Sequence, residues 1–221
     1  MKIDFVSDVV CPWCAIGLAA LEQALDQVGD SVKAELHFQP FQLNPDMAPE
    51  GEEIVEHLSR KYGIDAAQIA LNAEAIRQRC AELGFTFGAG KRSRTYNTFD
   101  AHRLLHWAGA EGPAGSQLAL KHALLRAYFT DGRDPSQPAV LVELAEQVGL
   151  DAAEAARILA SDRFSAEVRQ AQDFYQQAGI HAVPAVIIND RHLIQGGQPV
   201  EVFERALRKI AAMPESAATL H

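Results

Sequence analysis

Hydrophobic and polar positions near the start of the chain repeat with two different periods. Residues 2–8, KIDFVSD, alternate and are rich in apolar and β-branched side chains, which predicts a strand. Residues 15–29 carry apolar side chains at helical spacing and end on a glycine, which predicts a helix. Residues 33–44 alternate again. The chain therefore opens as strand–helix–strand, which predicts a parallel strand pair with a right-handed crossover.

A second mixed unit lies near the other end of the chain. Residues 184–190, PAVIIND, are an apolar run that ends in a tight turn at Asn189 and Asp190, and residues 192–197, HLIQGG, form the returning strand. Two residues in the turn between apolar runs predict a β-hairpin. Residues 199–210 follow as an amphipathic helix with a proline at its start. The two units together predict an α/β protein with a thioredoxin fold.

The middle of the chain shows helical periodicity, and we identify no strand pattern there. Asp65 and Asp151 predict helix N-caps, and Gly63 and Gly149 predict helix ends. We therefore expect a large all-helical insertion between the second and third strands of the thioredoxin fold. The predicted boundaries are 1–45 and 179–213 for the discontinuous thioredoxin-like domain, 46–178 for the helical insertion domain, and 214–221 for a frayed C-terminal tail.

Charge and hydropathy exclude several classes of partner. The formal net charge of −9 at pH 7 argues against nucleic acid or an anionic membrane surface as a partner. No apolar run approaches the ~20 residues that cross a bilayer. The first ten residues include two aspartates and lack the apolar region of a secretory signal. We therefore expect a cytoplasmic protein with no nucleic-acid and no membrane partner.

Two of the three cysteines, Cys11 and Cys14, stand together in the motif CPWC. The motif falls between the first predicted strand and helix, and Pro12 occupies a first helical position, where its missing N–H costs nothing. A thiolate at a helix N-terminus faces free N–H donors and the positive end of the helix dipole, which favours the charged form. We therefore expect Cys11 to be an exposed nucleophile and Cys14 to be a more buried thiol that resolves a mixed disulfide.

The rival interpretation of the cysteine pair is one half of a zinc site. Structural zinc takes four ligands, usually from two such pairs. Cys80 stands alone, and the only close histidine pair is His102 and His106. We therefore expect no bound metal. Cys80 lies on a predicted amphipathic helix, where a free cysteine is typically an inert buried thiol.

The order of the motifs resembles the DsbA family of thiol–disulfide oxidoreductases. CPWC after the first strand, Val183–Pro184 before the third and GGQ after the fourth carry this resemblance. Residues 40–45, 97–108 and 124–134 are similar to the cytoplasmic, FrnE-like branch of the family. That branch is related to hydroxychromene-carboxylate isomerases and to kappa-class glutathione transferases.

The resemblance implies how the site is built. Thioredoxin-like folds place a cis proline opposite the active cysteine, and Pro184 corresponds to it. Pro184 has no N–H that could compete for the sulfurs, and the backbone of Val183 can pair with an extended substrate as an added strand. Pro12 and Trp13, between the cysteines, would support the site.

Four further residues near the motif differ from the family pattern or have open roles. Thioredoxin-like enzymes often keep a buried carboxylate on the first strand, and Phe5 stands at that position. Asp8 lies nearer to the cysteines, but we expect it to be solvated because it belongs to a loop. His102 and Arg103 either pack beneath the insertion or line the cleft, and the sequence favours neither.

The leading functional hypothesis is a thiol–disulfide oxidoreductase acting on a disulfide or dithiol, either a protein or a small molecule. The alternative is a glutathione-dependent isomerase or transferase acting on a small aromatic or polyketide-like substrate. Kappa-type relatives carry a Ser–Asp pair where Gly197 and Gln198 stand, which weighs against the alternative. A third hypothesis is a chaperone-like binder of unfolded chains. We expect no bound cofactor, although glutathione can serve as a co-substrate.

Overall fold

The computed structural model describes residues 1–213. The cysteine motif follows the first strand of a four-stranded mixed sheet. In chain order the elements are β1 (Lys2–Ser7), α1 (Pro12–Val28), a 3-10 turn (Gly29–Ser31), β2 (Glu35–Pro40), β3 (Glu52–Glu53), α2 (Ile54–Tyr62), α3 (Ala66–Glu82), β4 (Arg94–Thr95), α4 (Phe99–Ala110), α5 (Ser116–Phe129), α6 (Pro138–Gln147), α7 (Ala152–Leu159), α8 (Ser165–Gln177), β5 (Ala185–Ile188), β6 (His192–Gln195) and α9 (Val200–Ala211).

The strand order of the main sheet is β2-β1-β5-β6, as a thioredoxin fold requires. β1 pairs in parallel with β2 and antiparallel with β5, and β5 pairs antiparallel with β6. The predicted hairpin is confirmed. Asn189 and Asp190 have φ of 53° and 56°, and the N–H of Arg191 donates to the carbonyl of Ile188 at 3.2 Å. Two consecutive residues with positive φ are typical of the type I′ turn, whose twist matches the flanking strands.

The core lies between the sheet and helices from both halves of the chain. Phe5 on β1 and Leu21 on α1 belong to the same buried cluster as Leu104 on α4 and Leu124 on α5. α1 also packs against α9, beside the sheet. The thioredoxin-like part and the insertion therefore share one hydrophobic core, and residues of α4 and α5 belong to the same buried cluster as Cys11 and Cys14.

Seven helices, α2 to α8, form most of the insertion, as the periodicity predicts. The Asp65 carboxylate accepts a hydrogen bond from the N–H of Gln68 at 2.8 Å, and that of Asp151 accepts one from the N–H of Glu154 at 3.0 Å, so both predicted N-caps are confirmed. Gly63 ends α2 with φ of 68°.

The expectation that the insertion is entirely helical is wrong in one respect. β3 and β4 pair antiparallel within it, two residues on each side, with Glu52 opposite Thr95. A two-residue strand is too short to show alternation, so only the tertiary fold brings these segments together. The tail predicted for residues 214–221 lies outside the described residues. No helix between residues 1 and 213 is long and apolar enough to cross a membrane.

Candidate active site

The two cysteines stand at the first turn of α1. Cys11 is the N-cap, with extended φ and ψ of −89° and 114°, and Pro12 begins the helix. The N–H groups of Cys14 and Ala15 both donate to the Cys11 carbonyl, at 3.1 and 3.3 Å. Both cysteines are free thiols. The predicted placement of the pair at a strand-to-helix junction is therefore confirmed.

The expectation that Cys11 is exposed is wrong. Cys11 is 3% exposed and Cys14 0%, whereas Trp13 between them is 44% exposed. Cys11 is covered by backbone from elsewhere in the chain, because the Val183 carbonyl lies 3.7 Å from its Sγ. Val10, the residue before the motif, is buried as well. The order of burial is nevertheless as expected, with Cys14 the deeper thiol.

The Val183–Pro184 peptide bond is cis, as the resemblance implies. The proline ring packs on α1 at a glycine: a Cβ on Gly17 would lie only 2.9 Å from the Pro184 Cγ. A second glycine, Gly197 in the loop after β6, lies against the first turn of α1. A Cβ there would lie 3.0 Å from the Trp13 carbonyl oxygen. Both close approaches therefore depend on the absence of a side chain at the glycine.

Asp8 corrects another expectation, because its carboxylate is buried rather than solvated. The N–H of Leu43 donates to Asp8 Oδ2 at 2.7 Å. His102 Nε2 donates to the Phe41 carbonyl at 3.0 Å and lies 3.5 Å from Asp8 Oδ1, so its contact with the carboxylate is the longer one. Burial raises the pKa of Asp8, but His102 and the hydrogen bonds from Leu43 and Thr98 outweigh burial and hold the pKa below its usual value.

Lys121 on α5 is a buried charged residue that the sequence analysis missed. It is 0% exposed, and its Nζ lies 5.7 Å from the centroid of the Phe38 ring. Within residues 1–213 no protein group accepts a hydrogen bond from this nitrogen. Burial lowers the pKa of Lys121, and negative charge at Cys14, followed by Asp8 and Cys11, opposes that effect.

A signal for Lys121 was present in the sequence. Leu124, Leu125 and Tyr128 follow it at three, four and seven residues, and all three are buried. Lys121 therefore occupies the core-facing stripe of an amphipathic helix, where a lysine is rare unless it has a partner or a function.

The environment of Cys14 differs from that of an ordinary thiol. Burial, followed by the hydrogen bond and the negative charge of Cys11, raises the pKa of Cys14 well above its usual value. The positive charge of Lys121 and the backbone of Asp8 act in the opposite direction. Cys14 therefore remains a thiol when Cys11 carries negative charge. Its deprotonation depends on the opposing effects of Lys121 and the Asp8 backbone.

The two residues with open roles lie on α4, within the insertion. His102 and Arg103 are both buried, and His102 contacts Asp8 as described above. Arg103 connects α4 to the end of α7 and to the segment after it, because its guanidinium donates to the carbonyls of Ile158, Ser161 and Arg163. Arg103 is thus a packing residue, whereas His102 belongs to the surroundings of the cysteines.

Cys80 is a buried free thiol, as expected. Burial raises its pKa to about 11, although the charge of Arg92 acts in the opposite direction. Across residues 1–213, no three His, Cys, Asp or Glu side chains converge in a way that could hold a metal ion.

A paired dithiol at a helix N-terminus, facing a cis proline on a thioredoxin fold, defines the class of thiol–disulfide oxidoreductases. The DsbA-like thioredoxin domain family matches residues 2–208, and the chain belongs to this family. It is 30% identical over 208 residues to the uncharacterized protein YwbO of Bacillus subtilis, covering 94% of this chain and 96% of that protein. It is also similar to a probable DsbA oxidoreductase from Streptomyces coelicolor, with 31% identity, a TM-score of 0.91, and coverage of 100% of this chain and 94% of that one.

More distant structures share the fold. The cytosolic disulfide reductase DsbM from Pseudomonas aeruginosa, solved with GSH, has 17% identity and a TM-score of 0.66, with 96% of this chain and 100% of that chain covered. A 2-hydroxychromene-2-carboxylate isomerase has 13% identity and a TM-score of 0.67, with 95% and 96% covered.

Proposed function

We propose that Cys11 and Cys14 are a redox pair that reduces or forms disulfides, with Cys11 attacking and Cys14 resolving. The observation that carries this proposal is the arrangement at the α1 N-terminus. Cys11 is the N-cap and faces the carbonyl before the cis proline, whereas Cys14 lies deeper and is hydrogen-bonded to Cys11.

The exchange proceeds in two displacements. The Cys11 thiolate attacks one sulfur of the substrate disulfide, whose S–S bond breaks and releases one thiolate. The Cys14 thiolate then attacks the Cys11 sulfur of the mixed disulfide and releases the second substrate thiolate. Two electrons pass from the cysteine pair to the substrate, and the enzyme is left with a Cys11–Cys14 disulfide. The reverse sequence oxidises a substrate dithiol.

Two features beside the cysteines support binding of an extended disulfide substrate. The N–H of Val183 makes no backbone hydrogen bond within residues 1–213, so it is available to a substrate strand. Trp13, exposed next to Cys11, offers an aromatic surface to the residues that flank the substrate disulfide. We therefore propose that Val183 binds substrate backbone and that Pro12, Trp13 and Pro184 support the site.

We further propose that no cofactor remains bound and that glutathione acts as a co-substrate that restores the dithiol. The fold neighbour solved with GSH supports this choice. A cytoplasmic location belongs to the same proposal, because a reducing compartment keeps thiols free.

The test compares three cysteine variants in the reduction of a disulfide-containing peptide by glutathione. We expect Cys11→Ser to abolish turnover and Cys14→Ser to accumulate a mixed disulfide that intact-protein mass spectrometry detects. Cys80→Ala is the matched control and should retain turnover, because Cys80 is a buried thiol that does not belong to the CPWC motif. Full turnover by Cys14→Ser without an adduct would refute the two-cysteine mechanism and favour a glutathione-dependent isomerase, which the same samples can be assayed for.

A further inference from the structure

The amine of Lys121 is fully buried, and the proposed exchange assigns it no role. An ammonium ion without hydrogen-bond acceptors is costly to bury, so the site favours the neutral amine unless a negative charge forms beside it. No such acceptor is present between residues 1 and 213. Among the negative groups that act on Lys121, the Cys14 thiolate has the largest effect. The amine is therefore stable as a base in the thiol state and as a cation in the thiolate state.

The other groups near Lys121 are less suited to taking a proton from Cys14. Asp8 Oδ2 accepts from Leu43, and Oδ1 has no hydrogen-bond partner among residues 1–213, but the pKa of the carboxyl group is held below its usual value, which makes it a weak base. His102 uses its Nε2–H as a donor to the Phe41 carbonyl. The titratable groups whose charge acts on Lys121 are Cys14 from α1 and Asp8 and Cys11 from the segment before it, and His102 and His106 from α4 line a small cavity together with Lys121.

We propose that Lys121 accepts the Cys14 proton during resolution of the mixed disulfide. The proton moves from the Cys14 sulfur to the Lys121 Nζ, which becomes an ammonium ion. The Cys14 thiolate attacks the Cys11 sulfur, a Cys11–Cys14 bond forms, and the bond between Cys11 and the substrate sulfur breaks. The substrate leaves as a thiolate. In the reverse direction the ammonium returns the proton to Cys14. This inference rests on the proposed redox function and assigns the proton acceptor for its second step.

The experiment separates the two steps with DTNB, an aromatic disulfide that releases a coloured thiolate at each displacement. The proteins carry Cys80→Ala so that only the active pair reacts. The first release reports attack by Cys11, and the second reports attack by Cys14. The variant is Lys121→Met, which removes the amine and keeps a long apolar side chain. The matched control is Leu120→Met, a similarly buried position one residue earlier on α5.

We expect Lys121→Met to slow the second release at least about tenfold at neutral pH, within reach of the ~10²-fold typical of a general base. The midpoint of its pH profile should move upward, because Cys14 then deprotonates without a partner. Leu120→Met should change neither. A second release with the wild-type rate and pH profile in Lys121→Met would overturn the role of Lys121 alone. Absence of a second release in the Cys80→Ala parent would instead overturn the two-cysteine function.

A measurement on the wild-type protein covers the case in which Lys121→Met does not fold. Labelling lysine with ¹³C and ¹⁵N allows each side-chain amine to be titrated by NMR in the disulfide form, where no thiolate faces Lys121. We expect one lysine side chain to lose its proton at a pH well below that at which the other lysines do. If every lysine remains an ammonium ion across the range in which the enzyme works, the proposal is overturned.

Discussion

Gly17 offers a direct test of how closely the cis proline packs on the cysteine helix. In Gly17→Ala two effects oppose each other. Alanine stabilises a helix interior by ~1 kcal/mol relative to glycine. The added Cβ, however, would lie 2.9 Å from the Pro184 Cγ, closer than carbon atoms normally approach. Its other neighbours, Gly197 Cα at 3.5 Å and Phe5 Cζ at 3.6 Å, are ordinary contacts.

The size of the clash follows from the carbon–carbon potential. A potential well of ~0.15 kcal/mol at ~3.8 Å gives a repulsion of about 2 kcal/mol between the added Cβ and the Pro184 Cγ before either atom moves. This agrees with the ~1–3 kcal/mol by which overpacking destabilises a core. After the helix gain is subtracted, we expect a net destabilisation of about 1 kcal/mol. Relief of the clash requires Pro184 to move, and the adjoining Val183 carbonyl, 3.7 Å from the Cys11 sulfur, moves with it.

Urea unfolding and the first DTNB release measure the two consequences separately. Gly17→Ala should lower the free energy of unfolding by about 1 kcal/mol and change the Cys11 rate at least about threefold, which corresponds to ~0.6 kcal/mol in the barrier. Ala19→Gly in the same helix measures the propensity difference without the clash. A Gly17→Ala protein more stable than wild type by ~1 kcal/mol, with an unchanged Cys11 rate, would show that Pro184 does not pack here.

Three further predictions concern buried polar groups. The lowered pKa of Asp8 contributes stability that is complete above the unfolded value of about 3.9 and is lost as pH falls through the lower folded value. Urea titrations at acid pH should therefore show a shallower loss for Asp8→Asn, and parallel curves would contradict this. Arg103→Met should cost ~3–5 kcal/mol, because several buried carbonyls lose their donor; the DTNB rates of the folded fraction should not change, and altered rates would place Arg103 in the site. Cys80, with a pKa of about 11, should be alkylated only after unfolding, and rapid labelling of the native protein would disprove its burial.

The sequence by itself determined the elements and their order. Apolar periodicity is a local property, so the helix after CPWC, the last helix and the first two strands were predicted close to their observed bounds. The N-caps at Asp65 and Asp151 and the turn at Asn189 were also predictable, because each depends on a side chain and its immediate neighbours. The proximity of Cys11 and Cys14 was predictable for the same reason, since the two cysteines are one helical turn apart.

Only the tertiary structure decided the depth and the chemistry of the site. Cys11 is buried because the segment before Pro184, far away in sequence, lies over its sulfur. Asp8 is buried because α4 and the chain after β2 close over the loop and supply His102 and the Leu43 N–H. Lys121 enters the site from a helix of the insertion. Burial and electrostatic environment are set by groups that converge from distant parts of the chain, and a local pattern does not contain that information.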